Sequence, residues 1–176
     1  MKRVPNIVLV GPMGAGKTST GRALAAQLGR PFVDLDVLIE EREGKSIPEI
    51  FAERGEPYFR ALESAVAREV SLREGQIIAA GGGVVLNPEN LRVLSEGGTV
   101  YCLRASADTI LTRVGHETHR PLLQTGDKRE RIQSLLDKRQ ALYDAVPNQV
   151  VTDGLTPTQV ATLIAGRTSG ANGVES

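Results

Sequence analysis

Four groups of residues in this chain have the types and spacing to do chemistry. The first is Gly11-Pro12-Met13-Gly14-Ala15-Gly16-Lys17-Thr18, which satisfies G-x-x-x-x-G-K-[ST]. An apolar run precedes it and a helix-forming stretch follows. Glycines let consecutive backbone N–H groups curl around one anion, and a helix N-terminus adds the positive end of its dipole. Gly11, Gly14, Ala15, Gly16 and Ser19 are therefore candidate phosphate contacts. Lys17 has the reach and charge for β- and γ-phosphates, and the Thr18 hydroxyl suits Mg²⁺. A glycine-rich structural turn is the alternative, disfavoured by the full match in context. The group implies a nucleoside triphosphate but does not separate a switch, a motor and a kinase.

The second group is "DLD", with Asp34 and Asp36 expected at the end of a strand. One acid there can hold Mg²⁺ through water, and the other can orient or deprotonate a hydroxyl. A pair of helix-capping aspartates is the alternative. The third group is Gly81, Gly82 and Gly83, which offer N–H groups and a close backbone approach. No acid ends the strand before them, which leaves Asp34 as the better Mg²⁺ partner. The fourth group is a set of charges on apolar helix faces. Phe59, Leu62, Val66 and Val70 form a stripe that contains Glu63, with Arg60 at its edge. Arg60 precedes Glu63 by three residues, so the two can pair. Ile132, Leu135, Leu136 and Tyr143 form another stripe, with Arg139 near its middle. A charge on a buried face is costly unless it is paired or meets a ligand. A site gripping a carboxylate would produce this pattern; a structural ion pair or a snorkelling arginine would too.

The elements that must position these groups alternate along the chain. Apolar runs at 6–10, 32–36, 76–80, 99–103 and 148–152 have the length and composition of buried parallel strands. Helical patterns lie between them. Gly29 ends the first helix, Ser46 with Glu49 reads as a capping box, and Asn87–Pro88 and Thr156–Pro157 open later helices. The class is α/β, layered around a parallel sheet. A chain of 176 residues with 40% hydrophobic content suits one domain, expected over 1–168, with 169–176 as a disordered tail. A polar, glycine-flanked stretch at about 113–126 is long for a connection and is expected to be a lid. It carries Arg120, placed to close on a transferring phosphate, and His116 and His119, read as solvated. Lys and Arg total 21, as do Asp and Glu, which argues against nucleic-acid and membrane-surface partners. The lone Cys102 excludes an internal disulfide and fits a cytoplasmic protein. No apolar run approaches a membrane span.

Taken in order, "GPMGAGKT", "DLD", "FRALE", "AAGGG", "RPLL" and "RQALYD" resemble the shikimate kinase family of P-loop small-molecule kinases, over about residues 7–160. The phosphate loop is generic; the ordered set is specific. The resemblance implies a three-layer P-loop kinase fold with five parallel strands in the order 2-3-1-4-5. It implies transfer of the ATP γ-phosphate to the 3-hydroxyl of shikimate, with ATP and Mg²⁺ as cofactors and a monomeric state expected. It assigns Asp36 to the substrate hydroxyls, Arg60 and Arg139 to the carboxylate, Gly82, the middle one of Gly81, Gly82 and Gly83, to a backbone contact, Arg120 to ATP in the lid, and Thr18 and Asp34 to Mg²⁺. One departure stands out. The loop "TDGLTP" after the last strand has no Lys or Arg to meet adenine, as some members have. Two other readings remain: a kinase for another sugar acid such as gluconate, and a nucleotide-dependent switch module. The second lacks the N-K-x-D stretch that usually reads guanine.

Overall fold

The computed structural model describes residues 2–114 and 127–171. Five strands form one parallel sheet in the order β2-β3-β1-β4-β5. They are β1 (Asn6–Val10), β2 (Phe32–Asp34), β3 (Ile77–Ala79), β4 (Gly98–Arg104) and β5 (Asn148–Val151). The helices are α1 (Lys17–Leu28), α2 (Leu35–Glu43), α3 (Ile47–Arg54), α4 (Glu56–Ser71), α5 (Pro88–Gly97), α6 (Ala107–Val114), α7 (Lys128–Asp144) and α8 (Pro157–Ala171). A 3-10 turn at Val84–Leu86 follows the glycine run.

All five residues of β1 are buried, as a central parallel strand requires. Its side chains alternate between two cores. Ile7 and Leu9 join Leu24, Val160, Ala161 and Ile164 under α1 and α8. Val8 and Val10 join Leu35, Ile50, Phe59, Val66, Val70 and Leu94 on the other face. Cys102 lies in this second core, and burial pushes its thiol up to about 11. It is packing, not a nucleophile. A smaller cluster, Ala107, Ile110, Val114 and Ile132, joins α6 to α7.

The expected caps form. Ser46 and Glu49 make a reciprocal capping box, Asn87 caps α5, and Gly29 ends α1 in the left-handed region. Thr156 and Gln159 exchange bonds at the start of α8. Two boundaries differ from the sequence reading by more than one residue. β2 stops at Asp34, because Oδ1 of Asp34 accepts the amides of Asp36 and Val37 and starts α2 at once. Asp36 therefore stands in the first turn of a helix, not on a strand. α8 runs through Ala171, into the stretch expected as tail, and 172–176 lie outside the described residues. Among the described residues, no helix is long and apolar enough to cross a membrane.

Candidate active site

Strand order reverses on either side of β1, which has β3 on one side and β4 on the other. In open parallel sheets, the crevice beyond the strand ends at such a point is where ligands bind. A cleft of about 480 Å³ lies there. The loop from β1 to α1 forms its floor, and Gly14, Ala15, Gly16, Lys17, Thr18 and Ser19 line it. Gly14 and Gly16 take φ of +72° and +90°, which side chains rarely adopt, so the loop can coil onto the start of α1. Gly11 is constrained by its neighbour strand. A Cβ there would stand 2.3 Å from the carbonyl oxygen of Leu103, so it is glycine because β4 passes so close. Lys17 Nζ bridges the loop, donating to Gly11 O at 2.7 Å and Pro12 O at 2.9 Å.

Asp34 is both a cap and a cleft residue. While Oδ1 caps α2, Oδ2 accepts from the Thr18 hydroxyl at 2.7 Å. The capping alternative was thus correct for this residue, and it leaves one carboxylate oxygen beside Thr18. Asp36 lines the same cleft.

The three glycines that follow β3 are where the charged helix faces meet. A Cβ on Gly81 would lie 2.7 Å from Oδ1 of Asp36 and 3.0 Å from Oε2 of Glu63. One on Gly83 would lie 2.2 Å from Nη1 of Arg60. Any side chain at these positions would displace the charged groups. Arg60 donates to Glu63 Oε1 at 3.0 Å, the pair that three-residue spacing predicts, and also reaches Glu56 at 3.3 Å. Glu63 is 1% exposed. Burial pushes its carboxyl above the ordinary value, against the pull of Arg60. Arg139 approaches from α7 and donates to Gly82 O at 3.2 Å. Of its expected stripe, Ile132 and Tyr143 are buried, while Leu135 and Leu136 are half-buried. Gly82 in turn lies against the phosphate loop, where a Cβ would come 3.4 Å from the Met13 amide. Asp36, Glu63, Arg60 and Arg139 thus surround one backbone turn that touches the nucleotide loop. Arg120, His116, His119 and the lid, beyond the two residues at its start that end α6, lie outside the described residues.

One site residue was missed from sequence. Arg113, on α6, donates to Thr152 Oγ1 at 3.1 Å, Thr152 O at 3.2 Å and Gly14 O at 3.0 Å. It lines the cleft together with Leu155 and Pro157. The loop after β5 lacks a basic residue of its own, and α6 supplies one beside it.

This arrangement can hold a nucleotide at one end and a small carboxylate at the other, with an acid at the junction. The family model for shikimate kinase matches residues 13–167. The chain belongs to the shikimate kinase family. A shikimate kinase of Thermodesulfovibrio yellowstonii is 47% identical over 156 residues, covering 89% of this chain and 90% of that one. One of Xylella fastidiosa is 43% identical over 171 residues, covering 96% and 95%. The solved structure of the Acinetobacter baumannii shikimate kinase in complex with shikimate superposes with a TM-score of 0.91 at 37% identity, covering 98% of this chain and 96% of that one. The shikimate kinase sheet order expected from sequence, 2-3-1-4-5, is the one observed.

Proposed function

We propose that this shikimate kinase uses the cleft to move the γ-phosphoryl group of ATP onto the 3-hydroxyl of shikimate. The observation that carries the reading is the convergence of Arg60, Arg139 and Asp36 on the turn Gly81–Gly83, with that turn packed on the phosphate loop. A hydroxylated carboxylic acid has the matching groups: a carboxylate for the two guanidinium groups and a hydroxyl for Asp36. Arginine grips a carboxylate with parallel hydrogen bonds, which fixes orientation as well as charge.

In the proposed step, Asp36 accepts the proton of the acceptor hydroxyl as its oxygen bonds to the γ-phosphorus. The bond from that phosphorus to the bridging oxygen breaks, and ADP leaves. Lys17 and the amides at the start of α1 balance charge on the phosphate oxygens. Thr18 and Asp34 fit Mg²⁺ by chemistry. They present two hard oxygens 2.7 Å apart at the cleft, and Mg²⁺ usually takes one or two protein oxygens and fills its shell with phosphates and water. Mg²⁺ held there would neutralise charge shared by the β- and γ-oxygens. Adenine is assigned to the space between Arg113 and the Leu155–Pro157 segment, and Arg120 to closure of the lid over the phosphates. Water would be excluded by that closure, limiting ATP hydrolysis.

Asp36→Asn tests the assignment of the acid. The side chain keeps its size and loses its basicity, so kcat should fall by a factor of about 10² or more, the range for loss of general acid–base help. ATP affinity should stay within about twofold, since that carboxylate faces the acceptor. Lost ATP affinity with turnover kept at saturating ATP would move Asp36 to the metal and reject the assignment.

A further inference from the structure

The carbonyl of Gly82 takes two donors from one helix. Arg139 Nη1 reaches it at 3.2 Å and the Tyr143 hydroxyl at 2.8 Å. Two bonds occupy the two lone pairs of a carbonyl oxygen. They differ in what happens when an acceptor arrives. A carboxylate draws the guanidinium toward itself; Tyr143 has no such alternative. Its ring is 1% exposed and lies in the larger core. The Arg104 guanidinium sits 5.8 Å from its centroid, and Gln149 holds its backbone carbonyl at 2.7 Å. Its rotamer is locked by these surroundings.

The turn it holds needs holding. Gly81, Gly82 and Gly83 carry no side chains to anchor them, and glycine is the residue with most backbone freedom. The turn closes through Val84 N to Gly81 O at 3.1 Å, a bond that uses neither the Gly82 nor the Gly83 amide. In a trans peptide the C=O and the following N–H point in opposite directions. Fixing Gly82 O therefore fixes the direction of the Gly83 N–H.

We propose that Tyr143 is a positioning residue for the acceptor: its hydroxyl pins the Gly82 carbonyl, and so the Gly82–Gly83 peptide, when Arg139 turns to the bound carboxylate. The inference rests on the acceptor reading above. Burial raises the pKa of the phenol, so the hydroxyl keeps its proton and remains a donor at neutral pH. Packing alone would not need the hydroxyl, because phenylalanine fills the same space.

Tyr143→Phe separates the two roles. Titration calorimetry with shikimate, without nucleotide, is compared with steady-state kinetics and thermal melting of the same samples. The dissociation constant and KM for shikimate should rise about threefold to tenfold, the range for one lost hydrogen bond, with KM for ATP within about twofold of the parent. Tyr143→4-aminophenylalanine returns a donor of the same size and should restore shikimate affinity. In the double variant with Arg139→Lys, the two effects should fail to multiply, since both residues position the same bound acceptor. A lower melting temperature with unchanged shikimate affinity overturns the proposal, because the hydroxyl then serves stability alone. A folded 4-aminophenylalanine variant that binds shikimate no better than Tyr143→Phe overturns it as well, and if Tyr143→Phe does not fold, a folded 4-aminophenylalanine variant that binds shikimate well below the parent does so alone. A parent that binds no shikimate overturns the acceptor reading and this inference with it, an outcome distinct from equal binding by parent and variant.

Discussion

Glu63 shows how one buried charge shapes the site. It lies in the apolar stripe of α4, where the sequence placed it, and its 2% exposed side chain holds Arg60 against Gly83. Arg60 has a second anion within reach, Glu56 at 3.3 Å, which is largely exposed. Glu63→Gln should release the guanidinium toward Glu56 and away from the acceptor. KM for shikimate should rise about tenfold, comparable to one charge-assisted bond, with KM for ATP unchanged. Stability should respond to pH with a definite sign. Burial raises the folded pKa of Glu63 above its ordinary 4.5, and Asp36 adds to the rise. The folded state therefore holds this proton more tightly than the unfolded chain does. The group's contribution to stability is full below the unfolded pKa and is lost as pH rises through the folded one. Glutamine does not titrate. Melting curves from pH 4 to 8, on the order of the range in which carboxylates and their upward shifts fall, should show the variant gaining on the parent as pH rises. A gap that closes in the opposite direction would mean that the Arg60 pair outweighs the burial.

At the scale of elements, the nucleotide end is built by a junction that local sequence does not announce. Asp153, in the loop after β5, accepts from the backbone of Ser106 at 3.1 Å, from the Ser106 hydroxyl at 2.7 Å and from the Thr109 hydroxyl. These donors, Thr109 first, hold its carboxyl below the ordinary value. The bonds tie the start of α6 to that loop, and Arg113 ties the end of α6 to Thr152 and Gly14. Arg113→Ala should loosen this wall and raise KM for ATP severalfold, roughly the worth of one or two hydrogen bonds, while KM for shikimate stays near the parent value. Equal losses for both substrates would mean that α6 supports the whole cleft. Arg113 was not legible because it sits on an exposed helix face, and its partner Thr152 is 39 residues away. The "DLD" stretch was legible as a site but not as a conformation. The apolar–polar alternation of four residues from Val33 to Asp36 suits a strand end or a first helical turn, and the Asp34 cap decided for the helix.

For the molecule as a whole, the sequence carries the layers well. β1 and β4 are built around the apolar runs 7–10 and 100–103, the caps are standard residue types, and the phosphate loop announces itself through its spacing. The sheet order was implied by the family resemblance, not by periodicity. What joins the two ends of the cleft was invisible: Tyr143 and Arg139 meet Gly82 across 61 and 57 residues of chain. Such bonds depend on tertiary placement, and Tyr143 reads in sequence as one more apolar stripe residue. By that placement, we infer, a nucleotide loop and a carboxylate grip share one turn. ADP release from Mg²⁺ and ATP against a panel of hydroxy acids that includes shikimate, its neutral amide and gluconate tests this shared turn. Shikimate should be turned over, with a value of kcat/KM for the amide lower by about tenfold to a hundredfold, as expected for loss of charge-assisted bonds to two arginines, and little release with gluconate. Turnover of gluconate with none of shikimate, or equal use of acid and amide, would mean that the turn beside the phosphate loop does not read shikimate's carboxylate.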